Sequence, residues 1–327
     1  MSAGAPDPRI ALDVHAHLAP IAADRLAVMD GAAWDAAALR LVLDGHAVGP
    51  SALFEPAALI AWMDENAVEQ AWISVPPPLY RQALAPADAR LWVDYVNAGL
   101  ASIVDAHHGR LAPLMHLPLE HPDLAREVAS AWIARGVCRF AAAAGGAHGR
   151  VLSDDAYRGV WEALDAAGAF LFLHPASCAD GRLAAFYLGN LVGNPHETAV
   201  AAAHLVFGGV CERHPHVRFC LAHGGGTTAM MAGRWQRGFA TARPGVDVAR
   251  KAPGDLLRTI GVDCIVHDAE ALALVASVFG PDRIVFGSDW PFAMGITSPR
   301  AQLADLPQGI ARRVLAANGD ALRAATS

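Results

Sequence analysis

The feature that most constrains this chain is a rhythm. Short apolar runs recur at roughly 10–14, 69–75, 111–116, 137–141, 169–173, 217–222, 258–263 and 283–287, and most gaps between them carry helical periodicity. Examples of the helical segments are "DLAREVASAWIAR", "DDAYRGVWEALDAAG" and "DAEALALVASVFG". Eight strand-like runs alternating with helices predict a (β/α)8 TIM barrel, an α/β fold with a parallel sheet closed on itself. A doubly wound open sheet is the alternative, but no G-x-G-x-x-G follows the first run. At 327 residues, the chain has the length of one such barrel, and no composition shift or repeat divides it, so residues 1–327 read as a single domain. Residues 20–55 break the rhythm. They predict an insertion after strand one, on the catalytic face, where it would act as a lid or substrate loop. A second irregular stretch, "CADGRLAAFYLGNLVGNP", would also overhang the mouth.

Composition excludes several classes. Hydrophobic residues make up 54% and charged residues 17%, with a net charge of −7. That balance supplies a large core and no electrostatic case for nucleic acid. No apolar stretch is long enough to span a membrane without Gly, Pro or charge. The start, "MSAGAPDPRIAL", lacks a basic region followed by an apolar run, so no leader is expected. Five cysteines (Cys138, Cys178, Cys211, Cys220, Cys264) contain no C-x-x-C pair. Free thiols in a reducing cytoplasm are the simplest reading.

The chemistry lies at the ends of the apolar runs. His15 and His17 close "RIALDVHAH", His174 closes "AFLFLHP", His223 closes "VRFCLAHGGG" and Asp289 closes "RIVFGSDWP". In a parallel barrel these ends converge on one mouth. His15 and His17, two apart on a strand, point to one face and can grip one ion. Imidazoles and a carboxylate gathered there make a site for a divalent metal such as zinc. Each residue also has a plain structural reading. His174 could be a core histidine bonded to a carbonyl. The three glycines after His223 could be only a tight turn. Asp289 could be an N-cap for helix eight. Jointly, four strand ends with metal-capable residues are improbable by chance. Among the other histidines, only His116 and His267 lie near strand ends and could support the site.

The pattern resembles the amidohydrolase superfamily. It is most similar to the branch typified by aminocarboxymuconate-semialdehyde decarboxylase and by the resorcylate and carboxyvanillate decarboxylases. The resemblance runs from about residue 10 to about 320, through "DVHAHLAP", "FLHPASCADGR", "NLVGNPHETAVAAAHLVFGGVCERHP", "AHGGG", "VHDAEAL" and "RIVFGSDWPF". It implies His15, His17, His174 and Asp289 as metal ligands and His223 as the acid–base residue beside the metal. It also implies that Arg234 reaches a substrate carboxylate in a neighbouring subunit, with Arg243 matching a second family Arg, and hence a homodimer. The sequence departs from the branch at "AVGPSALFEP", which lacks an Arg found there in the aminocarboxymuconate-semialdehyde decarboxylases, and in the stretch after the third His. The single lysine, Lys251, precedes strand seven, so no lysine at strand four can bridge two metals. One divalent ion is expected, zinc first and manganese second. The implied activity is nonoxidative decarboxylation of a small unsaturated or aromatic carboxylic acid, in which Asp289 could share the proton transfer. Metal-dependent hydrolysis of a lactone, ester or amide is the alternative.

Overall fold

A computed structural model describes residues 9–145, 149–176, 178 and 180–326. Residues 1–8, on which part of the leader reading rests, lie outside the described residues.

The strands are β1 (Asp13–His17), β2 (Ala32–Asp35), β3 (Arg40–Leu43), β4 (His46–Val48), β5 (Ala71–Ser74), β6 (Leu111–Pro113), β7 (Met115–Leu117), β8 (Arg139–Ala143), β9 (Phe170–His174), β10 (Arg218–Leu221), β11 (Gly261–Asp263) and β12 (Ile284–Val285). The parallel order runs β1-β5-β6 and then β7-β8-β9-β10-β11-β12. β6 and β7 are two halves of one strand interrupted at Leu114, whose N–H donates to the Ile73 carbonyl at 2.8 Å. β12 returns to β1: Val14 N–H donates to Phe286 O at 3.0 Å, and His17 N–H to Trp290 O at 2.8 Å. Counting β6–β7 as one, the ring holds eight parallel strands, as the rhythm predicts.

Side chains alternate along each strand, so one set fills the interior of the barrel and the other packs under the helices. The interior set is Leu12, Val14, Trp72, Ala112, Leu114, Ala141, Phe170, Phe172, Cys220, Ala222 and Val285. Trp72 and Phe170 meet edge to face at 4.8 Å. This plug closes the barrel below the strand ends. Phe172 touches the His15 ring at 4.8 Å, so the apolar layer is also the floor of the site.

Between β1 and the helix Pro56–Glu65 the chain forms a small antiparallel sheet, β2-β3-β4. Arg81, whose side chain is only 4% exposed, clamps it from the loop after β5. Its guanidinium donates to both Asp44 oxygens, at 2.9 and 2.6 Å, and to Asp30 O at 2.8 Å. The same guanidinium lies over the Trp92 ring at 4.8 Å. Among the described residues, no helix is long and apolar enough to cross a membrane.

Candidate active site

The strand ends bring four of the expected residues together. One ligand atom from each of His15, His17, His174 and Asp289 lies within 4.8 Å of the others. His15 Nε2 and His17 Nε2 are 3.1 Å apart, and Asp289 Oδ1 is 3.3 Å and 3.2 Å from them. All four residues are buried. Asp289 has φ +56° and caps no helix: its N–H donates to His15 O at 2.7 Å, and the next helix starts at Pro299. The N-cap reading therefore fails, because no helix follows Asp289 directly.

Each imidazole is oriented through its second nitrogen. His15 Nδ1 pairs with Asp263 Oδ2 at 2.7 Å, His17 Nδ1 with Ser74 Oγ at 3.1 Å, and His174 Nδ1 with Pro175 O at 2.7 Å. With Nδ1 donating to these partners each Nε2 turns toward the cluster, where a bound cation would take the place of any proton. His174 Nε2 is buried and has no hydrogen-bond partner among the described residues. A buried, unpaired acceptor costs about 1–3 kcal/mol, and an ion would satisfy it. The donor set fits a divalent cation on these grounds.

Electrostatics sharpen the picture. Burial pushes His174 and His17 down; for His174 the neighbouring imidazoles add to this, while for His17 the Asp289 carboxylate pulls the other way. His15 is also opposed by burial, but the Asp289 and Asp263 carboxylates outweigh it and raise it to about 10. Burial would raise Asp289, yet the His15 charge and the surrounding imidazole hydrogen bonds hold it well below the usual carboxylate range. The cluster therefore gathers negative charge on one carboxylate and presents it to whatever cation sits there.

His223 stands beside the cluster. Its Nε2 is 3.9 Å from Asp289 Oδ2, and its side chain is 18% exposed. It adopts φ +54°, and Gly224, Gly225 and Gly226 continue in the left-handed region. The glycine run is required by space as well as by φ. A Cβ on Gly226 would meet the Pro195 carbonyl at 2.2 Å, and one on Gly224 would meet Val266 at 2.2 Å. Asp263 holds this turn, accepting from His223 N–H at 2.9 Å and Gly224 N–H at 2.8 Å.

Asp263 is the functional residue that sequence reasoning missed. It closes the seventh apolar run much as Asp289 closes the eighth, and that position was its one signal. Burial alone would raise its carboxyl, but the hydrogen bond and charge of His15 hold it below the usual range. Asp13 was passed over as well. It is fully buried and accepts from Ser288 Oγ at 2.5 Å, Ser288 N–H at 3.0 Å and His15 N–H at 3.0 Å, tying β1 to the segment that carries Asp289.

The cavity above the cluster measures about 1170 Å³. Pro77, Pro78, Leu183, Pro291, Phe292 and Met294 give it apolar walls, while His174, His223 and Asp289 form its reactive end. The irregular stretch after His174 contributes Cys178, Asp180 and Asn190, as expected of an overhang. From the 20–55 region only Pro50 is among the lining residues. Among the described residues lining it there is no Lys or Arg. Arg234 lies in the helix Thr228–Ala240 and Arg243 just beyond it; both are exposed and neither lines this cavity. Lys251 is exposed and also outside it. His267 lines a separate cleft with Asp268 and Leu306, whereas His116 is buried against Tyr80.

The chain is similar to known proteins in both sequence and fold. The chain is 28% identical to a 2-amino-3-carboxymuconate-6-semialdehyde decarboxylase of Dictyostelium discoideum, over 75% of this chain and 69% of that protein. Its fold matches a 5-carboxyvanillate decarboxylase of Sphingomonas paucimobilis (TM-score 0.80, 19% identity, 97% of this chain and 99% of that one). It also matches a dihydroxybenzoic acid decarboxylase of Polaromonas with bound manganese (TM-score 0.77, 19% identity, 96% of each chain). The family model described as "Amidohydrolase" matches residues 12–322. With that match spanning the barrel and all four clustered residues, the chain belongs to the amidohydrolase family.

Proposed function

We propose that this protein is a metal-dependent nonoxidative decarboxylase of a small aromatic or unsaturated carboxylic acid. In this reading His15, His17, His174 and Asp289 hold one divalent ion, and His223 is the acid–base residue. The observation that carries it is the buried His174 Nε2, unpaired and within reach of three further donors. β8 runs Arg139–Ala143 without lysine, which favours a single ion. Three imidazoles and one carboxylate suit zinc, with manganese second. The names of the relatives favour carbon–carbon cleavage over the hydrolysis of an ester, lactone or amide.

When bound, the ion supplies Lewis acidity toward the oxygens of the substrate. The rest falls to the chain. The bond from the carboxylate carbon breaks, carbon dioxide leaves, and the electron pair stays on the ring or alkene carbon. That carbon takes one proton, which His223 delivers from the rim of the cavity. Asp289 Oδ2, at 3.9 Å, offsets the charge on the protonated imidazole and can share the transfer. The proline and Phe292 walls receive a flat apolar body and exclude water.

Among the described residues the cavity wall has no Lys or Arg, so beyond the bound ion a cation for a substrate carboxylate comes from outside it. In this reading Arg234, exposed on its helix, serves a second copy of the chain, and Arg243, just past the helix end, is the second arginine of that contact. We read the assembly as a homodimer with composite sites, in which Arg234 makes a bidentate carboxylate contact across the interface. The 20–55 excursion, an insertion in the single 1–327 barrel, acts as a lid with Pro50 at the cavity edge. Five unpaired thiols fit a cytoplasmic protein. The test is a panel of aromatic and unsaturated carboxylic acids, followed by carbon dioxide release, beside esters and lactones followed by hydrolysis. Release from at least one acid, abolished by chelation, is expected. Hydrolysis without release would refute the reading.

A further inference from the structure

The irregular stretch over the cavity ends in a turn wound as a π-helix, Gly189–Gly193, which runs straight into the helix Asn194–Phe207. Asn194 N–H donates to Gly189 O, five residues back, the bond that defines this wide form. Asn190 and Asn194, one turn apart, both line the cavity above the cluster. Their main chains are engaged: Asn190 N–H donates to Tyr187 O at 3.0 Å, and Asn194 O accepts from Thr198 Oγ1 at 3.0 Å. Neither side-chain amide hydrogen-bonds to another described residue. Both residues are half-buried, so the amides are open to whatever enters the cavity.

The surrounding structure holds the turn in place. Gly193 is buried, and a Cβ there would meet Cys178 Cβ at 2.7 Å, so the turn is pressed against the chain that follows His174. Pro195 O accepts from Thr227 N–H at 3.2 Å, just past the glycine run that carries His223. Asn194, the residue before Pro195, therefore stands on the His223 side of the cavity. The other polar side chains of this overhang are committed or peripheral. Asp180 accepts from Arg182 Nε at 2.9 Å, and Tyr187 is 63% exposed. The two amides are left with a carbonyl acceptor and an NH2 donor each, and no charge.

We infer that Asn190 and Asn194 are specificity-determining residues, whose side-chain amides receive a neutral substituent of the substrate that both donates and accepts, a hydroxyl or a carboxamide. The apolar walls take the flat body of the acid, the cluster and His223 take its reacting end, and the amides read the substituent. A charged substituent gains less, because neutral amides do not offset the desolvation of an ion. The inference rests on the decarboxylase reading of the same cavity.

The test is calorimetric binding of benzoate, the three monohydroxybenzoates and the three carbamoylbenzoates to the zinc-loaded protein. Wild type should bind at least one substituted acid about tenfold more tightly than benzoate, the worth of one or two well-made hydrogen bonds. Asn190→Ala and Asn194→Ala should each cut that ratio about threefold, and the double variant should erase it, with benzoate affinity kept within about twofold. Circular dichroism and metal content check that each variant is folded and loaded. The Asn190→Leu, Asn194→Leu protein keeps the side-chain volume and gives the same reading should the alanine variant lose its fold. A wild type that binds none of the acids, or binds all alike, overturns the inference. So does a preference that survives the double substitution, or a loss for benzoate as large as for the substituted acids. Failure of the decarboxylase reading shows separately, as absent carbon dioxide release with the binding preference intact.

Discussion

Replacing Asp263 with Asn removes one charge and adds one amide at the centre of the support for the site. The carboxylate accepts four hydrogen bonds. Oδ2 takes His15 Nδ1 at 2.7 Å and His223 N–H at 2.9 Å; Oδ1 takes Gly224 N–H at 2.8 Å and Ile265 N–H at 3.0 Å. Asn keeps one acceptor oxygen, so two of the four donors must face an NH2 group. If that group faces His15, the imidazole must place its proton on Nε2 and lose the lone pair aimed at the cluster. If it faces Gly224, the left-handed turn that carries His223 loses its anchor. Hydrogen bonds to charged groups are worth about 1.5–3 kcal/mol each, so urea denaturation should show a loss of about 3 kcal/mol or more. Loss of a ligand's orienting partner lowers metal affinity about 10–100-fold. Competition against a chromogenic zinc chelator measures this directly. A folded Asp263→Asn protein that binds zinc within about twofold of wild type would refute the orienting role.

Three further outcomes follow from the same geometry. His223→Ala should retain the metal by elemental analysis yet lose about 10²–10⁴-fold in turnover, since it removes proton transfer and no ligand; loss of metal would reverse its role with that of Asp289. Glu120 is buried and its carboxyl is raised from 4.5 to about 7 by that burial. Its favoured neutral form contributes stability that is present below pH 4.5 and lost as pH rises through about 7. Glu120→Gln should therefore gain on wild type by about 2–3 kcal/mol between pH 5 and 8.5 in urea titrations, and a constant difference would contradict this. Mixing inactive Arg234→Ala and His223→Ala proteins should restore part of the activity once subunit exchange is shown by tagged pull-down. No recovery despite exchange would mean that Arg234 serves its own chain or only pairs at the surface, worth about 0–1 kcal/mol.

Much of this was legible in the sequence, for a physical reason. Barrel strands are buried on both faces and read as continuous apolar runs, so runs such as 217–222 mark β10 closely. The first run ends early because β1 extends through His15 and His17, whose polarity hides them from a hydrophobic pattern. The same inversion exposed the site: a polar residue closing an apolar run is expensive unless it is used. The rule also applied to Asp263, but a single Asp at a strand end is shared with turns and caps, and only its four donors distinguish it. The small β2-β3-β4 sheet stood out only as a break in the rhythm, because short antiparallel strands carry alternation too brief to read.

The central claim is that one divalent ion on His15, His17, His174 and Asp289 drives the loss of a carboxylate. Stepwise zinc or manganese addition to metal-free protein, with carbon dioxide release from its best acid substrate as the readout, tests it most directly. Activity should rise from near zero in proportion to added metal and level off at about one equivalent per chain. Release that is independent of metal, or a break at two equivalents, would contradict the account.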